Sequence, residues 1–262
     1  MKRLFFVISL FLFTLFAYAQ SRDPKGIGSA KELTGNTYIL EVFISDQNNN
    51  WLYEEKLDII NKYYEAINWI QNQSRRYNIN VNFEGGNFGL DSDIKINNIE
   101  YGTASGNENI DMVSTVLKKI GYENSLSFYN WAINNNFDNT FVLIFVKGMG
   151  TGYAIAYDTD IMNKDLYYLE GAILYEKYLN GQELASSSIA HEMLHIYGAW
   201  DLYATFQQSR EIEQLAKIYF PNSIMHRVSY NINELDIDSL TAWRIGWNIN
   251  PELWYYNFNP LH

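Results

Sequence analysis

The segment HEMLHIYGAWD at residues 191–201 constrains the fold of this chain more than any other part of its sequence. Its spacing predicts a helix with His191 and His195 on one face, because residues four apart in a helix lie about 5–6 Å apart at Cβ. Both imidazoles can then reach a single metal ion. Glu192 stands next to the first histidine, where a carboxylate can take a proton from a metal-activated water molecule.

The residues after the second histidine complete a candidate zinc site. Gly198 can end the helix in a left-handed turn, and the reversed chain can then bring Asp201 to the metal as a third ligand. A fourth coordination position would stay open for water, as in catalytic zinc sites. Two simpler explanations stay open: an isolated HExxH can be an ordinary exposed helix without metal, and Asp201 can cap the next element. Two of the four histidines of the chain lie in the motif, which favours zinc.

The N-terminus has the pattern of a secretory signal peptide. Lys2 and Arg3 precede an apolar stretch from Leu4 to Phe16, and Ala17-Tyr18-Ala19 forms a small-x-small cleavage site. The apolar stretch is shorter than the roughly 20 residues that span a bilayer. We therefore predict that residues 1–19 are removed, that 243 of the 262 residues remain, and that the protein is secreted or periplasmic.

Length, charge and cysteine content narrow the classes of protein further. The remaining residues fit one large domain or one domain with two lobes. The chain has no cysteine, which excludes disulfides and thiolate metal ligands. Its formal net charge of −11 becomes −13 once Lys2 and Arg3 leave with the signal peptide. This balance argues against nucleic acid and anionic membranes as partners after signal cleavage, and we expect a monomer.

Hydrophobic patterning predicts a mixed α+β fold. Alternating or continuous apolar segments indicate strands at residues 36–45, 79–83, 94–99, 140–146, 152–157 and 171–178. Apolar residues at helical spacing indicate helices at residues 51–77, 109–120, 125–133, 184–197, 207–219 and 235–246. The first strand, helix and strand predict a parallel pair with a right-handed crossover.

This order of elements predicts how the chain is organised. We expect an N-terminal segment at residues 20–35 and one domain at residues 36–262. Its upper lobe, residues 36–198, would contain a twisted mixed sheet with helices. The lower lobe, residues 199–262, would be smaller, irregular and helical. The motif helix would then lie at the floor of a cleft between the two lobes.

The motif HExxHxxGxxD resembles that of the metzincin zinc peptidases, in the variant whose third ligand is aspartate. Downstream, the segment Ser223-Ile224-Met225-His226 looks like the tight methionine-bearing turn that the family has beneath its metal. Residues Glu234 to Trp247 resemble the family's C-terminal helix. The resemblance covers about residues 36–247 and implies a metzincin-like catalytic domain.

The resemblance also implies a role for each matching residue. His191, His195 and Asp201 would bind Zn2+, and the substrate would be a peptide or protein. Glu192 would act first as general base and then as proton donor. Met225 would form the hydrophobic floor of the site, a structural role that differs little from that of an ordinary core methionine.

One position departs from the family pattern. Several metzincins place a tyrosine two residues after the methionine, where this chain has Arg227. Secreted bacterial peptidases of the snapalysin type resemble this chain in having the pattern D-x-Y after the third ligand, which here places Tyr203. Tyr203 would either stabilise the oxyanion as a catalytic residue or pack against its surroundings. Tyr230 and His226 are less favoured substitutes for that role.

Two further patterns have simpler explanations than a ligand site. Residues 147–157 contain G-x-G-x-G, but no helix is expected after the glycines, so a nucleotide site is not favoured. The resemblance instead makes this segment the sheet edge above the cleft, and an ordinary glycine-rich strand entry is the alternative. The acid pairs at Asp91 and Asp93 and at Asp158 and Asp160 could bind calcium, but they lack the glycine and distal glutamate of a loop-type site, and solvated turns are favoured.

Three functions are compatible with this sequence. The first is a secreted zinc endopeptidase. The second is a zinc-dependent amidase that acts on a cell-wall or glycan substrate. The third is a non-catalytic binding protein with a structural metal, which Glu192 argues against because a structural site needs no base there.

Overall fold

A twisted sheet of six strands forms the centre of the protein in the computed structural model, which describes residues 27–97, 106–156, 169–205, 208–247 and 250–258. The strands are β1 (Gly35–Ser45), β2 (Val81–Phe88), β3 (Ile94–Lys95), β4 (Asn139–Met149), β5 (Tyr153–Ile155) and β6 (Gly171–Lys177). Their order is β2-β1-β4-β6-β5, and β3 pairs with the end of β1 beyond β2. The predicted parallel arrangement of the first two strands is confirmed.

The helices among the described residues cover both faces of this sheet. They are α1 (Tyr53–Arg76), α2 (Gly106–Lys119), α3 (Ser125–Asn134), α4 (Ser186–Ile196), α5 (Arg210–Tyr219) and α6 (Ser239–Arg244), with 3₁₀ turns at Ile232–Glu234 and Leu253–Phe258. The predicted mixed α+β class is therefore confirmed, and most predicted elements differ from the observed ones by a few residues at their ends.

Alternation along the strands divides the core into two layers. In β1, Ile39 and Phe43 face the layer that contains α1 and α4, whereas Leu40 and Val42 face α2 and α3. Strand β4 is fully buried over residues 141–146, as its continuous apolar run predicts for a central parallel strand. The larger layer, between the sheet and α1 and α4, is the one that positions the motif helix.

The predicted last helix at residues 235–246 is too long. Only Ser239–Arg244 is helical, because Asp238 caps the helix by accepting a hydrogen bond of 2.9 Å from the Thr241 amide. The preceding residues pair instead with the methionine-bearing segment, since the Ile224 amide donates to the Asp236 carbonyl at 3.0 Å. A non-local pairing therefore replaces the first turn of the expected helix.

The chain before β1 is anchored in the core. Ala30 and Leu33 are fully buried. The Leu33 amide donates to the Ile245 carbonyl at 2.8 Å, and the Trp247 indole donates to the Leu33 carbonyl at 2.7 Å. The Ala30 amide donates to the buried carboxylate of Glu170 at 2.7 Å. These contacts connect the start of the described chain to its C-terminal part.

No helix of the described residues is long and apolar enough to cross a membrane. The predicted signal peptide at residues 1–19 lies outside the described residues.

Candidate metal centre

The motif helix α4 lies beneath the sheet, with nearly all of its residues buried. Its last helical residue is Ile196, and Tyr197 caps it. Gly198 follows with φ of +96°, the left-handed conformation that glycine adopts without strain. The Gly198 amide donates to the His195 carbonyl at 2.9 Å, and the Ala199 amide donates to the Leu194 carbonyl at 3.1 Å. The predicted left-handed helix end is confirmed, and it turns the chain back toward the histidines.

Three side chains of the motif converge on one point. The Nε2 atoms of His191 and His195 are 3.0 Å apart. Oδ1 of Asp201 lies 3.0 Å from Nε2 of His195 and 3.4 Å from Nε2 of His191. Among the described residues, this is the group of three histidine or acidic side chains close enough to hold a metal ion together, and we refer to His191, His195 and Asp201 as the metal-ligand group.

Backbone carbonyls fix both imidazole rings from behind. His191 Nδ1 lies 2.9 Å from the Ile224 carbonyl oxygen, and His195 Nδ1 lies 2.9 Å from the Ala199 carbonyl oxygen. A carbonyl only accepts, so each Nδ1 carries the hydrogen and each Nε2 is left to face the other ring and Asp201. Such outer partners orient metal-binding histidines in general. Neither carbonyl has a sequence signal, and sequence reasoning missed both.

The two Nε2 atoms and Asp201 Oδ1 are all acceptors, and acceptors this close repel one another unless a proton or a metal ion lies between them. Burial alone would lower the pKa of His195, but the Asp201 carboxylate raises that pKa to about 9. Burial would raise the pKa of Asp201, but the two imidazoles hold it well below its usual range. Both shifts follow from an arrangement that favours a positive charge at this point, that of a proton or of a metal ion. Ligand atoms of a tetrahedral zinc ion lie about 3.3 Å apart when the bonds are about 2.0–2.1 Å, so the observed spacing fits zinc.

Glu192 lies in the same buried region, next to the outermost strand. Its side chain is 9% exposed, and burial raises the pKa of its carboxyl group against the lowering effect of His191 and His195. The Ala154 amide of β5 donates a hydrogen bond to this carboxylate. A Cβ added at Gly152 would lie 3.8 Å from Glu192 Oε1, so the glycine-rich entry to β5 passes close to the carboxylate.

Met225 is fully buried, in a turn held by backbone contacts. Its amide donates to Ser223 Oγ at 3.1 Å, and its carbonyl accepts from the Leu202 amide at 2.8 Å. Ser223 Oγ in turn donates to the buried Asp238 carboxylate at 2.6 Å. Sequence reasoning missed the pairing of Ser223 with Asp238, because 15 residues separate them and neither belongs to the motif.

Tyr203 lies beside His191 and Asp201. Its ring lies 6.0 Å from that of His191, and 37% of the residue is exposed. Its hydroxyl hydrogen-bonds the Asp201 carboxylate, and burial together with the charges of Asp201 and Glu192 raises its pKa far above the ordinary value. The hydroxyl therefore contacts a candidate ligand in this arrangement. Tyr230 is engaged elsewhere, since its hydroxyl donates to the Glu183 carbonyl at 3.0 Å.

A cavity of about 320 Å³ opens beside the metal-ligand group. It is lined by Gly150, Thr151, Gly152, Leu174, Tyr175, Tyr178, Leu184, Ser188, His191, Glu192, Tyr203, His226, Arg227 and Val228. Aliphatic and aromatic side chains form most of its wall, and His191 and Glu192 form the end nearest the metal-ligand group. A small group or side chain of apolar character fits this composition.

The glycine-rich segment before β5 is a sheet edge. Strand β5 pairs antiparallel with β6, and no other described strand pairs with it. Gly148 adopts φ of +127° at an irregularity in the pairing of β4 with β6, and no helix follows the glycines within residues 148–156. The expectation of an edge strand is confirmed.

Of the acid pair at residues 91 and 93, Asp91 is exposed, as expected for a solvated turn, whereas Asp93 is not. Asp93 has a side chain only 12% exposed, and its Oδ1 lies 2.9 Å from the Lys56 ammonium. The Lys95 ammonium donates to the carbonyls of Asp46 and Asn49 at 2.8 and 2.7 Å. Lysine ammonium groups therefore lie among the oxygens that a calcium ion would use. The other predicted pair, at residues 158 and 160, lies outside the described residues.

Comparison with known proteins gives no matching family model and no matching curated protein. The geometry of the metal-ligand group, Glu192 and the adjoining cavity is therefore the basis on which a function is assigned.

Proposed function

We propose that this protein is a zinc-dependent endopeptidase, as the resemblance of its motif to the metzincins implies. The observation that carries the proposal is the convergence of His191, His195 and Asp201 beside a buried Glu192, with Nε2 and Oδ1 atoms 3.0–3.4 Å apart. An ordinary exposed helix, the simpler explanation of the motif, would not bury these side chains around one point.

The residues of the chain divide the chemistry between them. A zinc ion held by His191, His195 and Asp201 would acidify a water molecule and polarise the scissile carbonyl. Glu192 takes the proton of the attacking water and later donates it to the leaving amine. A carboxyl pKa raised by burial suits this role, because the group must hold the proton between the two steps. Tyr203 keeps the Asp201 carboxylate oriented through its hydroxyl.

The edge of the sheet and the cavity define where a substrate would lie. An extended peptide can add to β5 as a further strand, since that edge is not paired with another described strand. One of its side chains would then enter the cavity between Leu174, Leu184 and Val228. This arrangement favours a peptide with an apolar side chain next to the bond that is cleaved.

Metal content and turnover test the proposal separately. The protein as purified should contain about one zinc ion per chain, and His191→Ala and Asp201→Ala should lose it. His226→Ala is the matched control for zinc content, because His226 lines the same cavity outside the ligand group. If Asp201→Ala keeps the wild-type zinc affinity, the assignment of the third ligand is wrong.

Glu192→Gln tests the mechanism. It should retain zinc and lose about 10²–10⁴-fold in kcat on casein or a peptide library, because general acid–base catalysis contributes about that factor. Glu65→Gln, on the exposed side of α1, is the matched control. Peptide cleavage by Glu192→Gln at the wild-type rate would refute the mechanism. Turnover of a cell-wall or glycan panel alone would favour the amidase, and zinc without turnover of any substrate would favour a structural metal.

We further propose that the protein is exported and that residues 1–19 are removed. The signal-peptide pattern at the N-terminus supports this. Expression of the full chain in a secreting host should yield a protein in the medium or periplasm whose first residue is Gln20. Recovery of the chain in the cytoplasm with Met1 retained would contradict export.

A further inference from the structure

The residues that follow Met225 form a fixed wall of the cavity. The Arg227 amide donates to the Ser223 carbonyl at 3.1 Å, which holds the start of the wall to the methionine-bearing turn. Two residues later, the Ser229 amide donates to Ser187 Oγ at 3.0 Å, near the start of α4. The backbone that carries Arg227 is therefore positioned from both sides, with little freedom to move relative to the ligand histidines.

The side chain of Arg227 is exposed where this wall meets solvent. Among the 14 described residues that line the cavity, it is the one lysine or arginine. No described residue makes an ion pair or a side-chain hydrogen bond with it. Two other cations of the described chain have partners: Lys147 pairs with Glu55 and Glu176 at 2.6 and 2.9 Å, and the Arg244 guanidinium lies 4.2 Å from the ring of Trp200.

The inner part of the cavity is mainly apolar, and its rim carries the positive charge of Arg227. Leu174 and Leu184 are buried in the wall, and the Glu192 carboxylate lies at the inner end. A carboxylate of a ligand would lose its solvation against the apolar walls of the cavity. At the rim it would meet a guanidinium that no acid among the described residues neutralises, although the chain has 30 acidic residues against 19 lysines and arginines.

We propose that Arg227 is a specificity-determining residue that binds a carboxylate of the substrate, adjacent to the residue whose apolar side chain fills the cavity. The proposal rests on the proposed peptidase function. The planar guanidinium presents paired N–H donors that match the two oxygens of a carboxylate. In a peptide, that carboxylate belongs either to an aspartate or glutamate side chain or to the C-terminus. The substrates would then be acidic peptides, or peptides cleaved near their C-terminus.

Four versions of one peptide substrate distinguish a side-chain carboxylate from the C-terminal carboxylate. The position after the apolar residue is Glu or Gln, and each version has a free or an amidated C-terminus. The zinc-loaded wild type should favour one carboxylate by about tenfold in kcat/KM, equivalent to about 1.4 kcal/mol. A preference for Glu identifies a side-chain carboxylate, and a preference for the free acid identifies the C-terminus. In Arg227→Gln the ratio should fall to about one.

Two controls sharpen this test. Arg210→Gln removes an exposed arginine of α5 that does not line the cavity, so it should keep the wild-type ratio. The wild-type preference should also weaken at high salt, because the guanidinium is exposed to solvent. If Arg227→Gln lowers kcat for all four peptides by one common factor, Arg227 acts on the reacting carbonyl and the proposal is wrong.

A binding measurement separates this proposal from the peptidase assignment. Zinc-loaded Glu192→Gln is titrated with acetyl-Phe-Glu-amide, acetyl-Phe-Gln-amide and acetyl-Phe-Gln with a free C-terminus. One of the two carboxylate-bearing peptides should bind about tenfold more tightly than the neutral peptide, and adding Arg227→Gln should abolish the difference. Equal affinities overturn the role of Arg227 even if the wild type cleaves peptides. Wild type that cleaves no peptide refutes the proposed function without affecting this comparison.

Discussion

Glu41 is a buried carboxylate that lies outside the candidate metal centre, and its removal gives a quantitative test of the fold. It lies in β1 between Ile39 and Phe43, on the face covered by α1, and is 4% exposed. The Tyr63 hydroxyl hydrogen-bonds it. Burial raises the pKa of Glu41 to about 7 from its ordinary value of 4.5, and the bond from Tyr63 offsets only part of this.

The sign of the effect on stability follows from the direction of this shift. Below pH 4.5 the carboxyl group is protonated in both the folded and the unfolded chain, so its titration does not lower the free energy of unfolding. Between pH 4.5 and about 7 the unfolded chain releases the proton first, so the free energy of unfolding falls as pH rises. Above pH 7 the loss is complete at about 3 kcal/mol, since each pKa unit corresponds to about 1.4 kcal/mol.

Glu41→Gln removes the titration but keeps the shape of the side chain. Relative to wild type, its free energy of unfolding should rise by about 3 kcal/mol between pH 4 and pH 8, whatever constant offset the amide introduces. Urea unfolding across this pH range, with a chelator present, measures the difference. The exposed Glu65→Gln should stay within about 0.5 kcal/mol of wild type throughout. A difference for Glu41→Gln that is flat or falls with pH would refute the assignment of a buried, high-pKa carboxyl group.

Two further outcomes follow from the site and its edge strand. A Cβ added at Gly150 would lie 2.5 Å from the Tyr175 ring. Gly150→Ala should therefore lower the free energy of unfolding, measured in urea, by about 1–3 kcal/mol. Unchanged stability would show that the connection between β4 and β5 moves to accommodate the methyl group. Zinc must displace the proton that His195 holds up to about pH 9 in the metal-free protein. Zinc affinity, measured by competition with a chelating dye, should therefore rise about tenfold per pH unit from pH 6 to 8.5. A flat profile would contradict the protonation of His195.

Local patterns in the sequence were enough to predict the central elements and part of the site. The continuous apolar run of β4 and the four-residue spacing of the histidines are local signals, and both were interpreted correctly at the level of secondary structure. The left-handed turn at Gly198 was predictable because glycine has no Cβ to clash in that conformation. These features depend on residues close in sequence, for which periodicity and backbone preference suffice.

Long-range contacts account for what the sequence did not reveal. The last helix is shortened because Asp236 pairs with Ile224, and Asp93 is buried by Lys56, which lies 37 residues earlier in the chain. The hydrogen bond from Tyr203 to Asp201 spans only two residues, but whether the hydroxyl points to the carboxylate depends on the side-chain packing around both. No periodic pattern encodes such choices, since each depends on which distant surfaces come together.

The methionine-bearing turn acts on the metal-ligand group through its backbone. The Ile224 carbonyl holds the His191 ring, and the Met225 carbonyl holds the Leu202 amide, one residue beyond Asp201. The turn therefore supports one ligand on α4 and another on the segment after it, and Ser223 with Asp238 fixes the turn from the other side. The fully buried side chain at position 225 contributes volume and apolarity rather than a polar contact. A methionine satisfies that demand because its flexible, unbranched side chain fills irregular space.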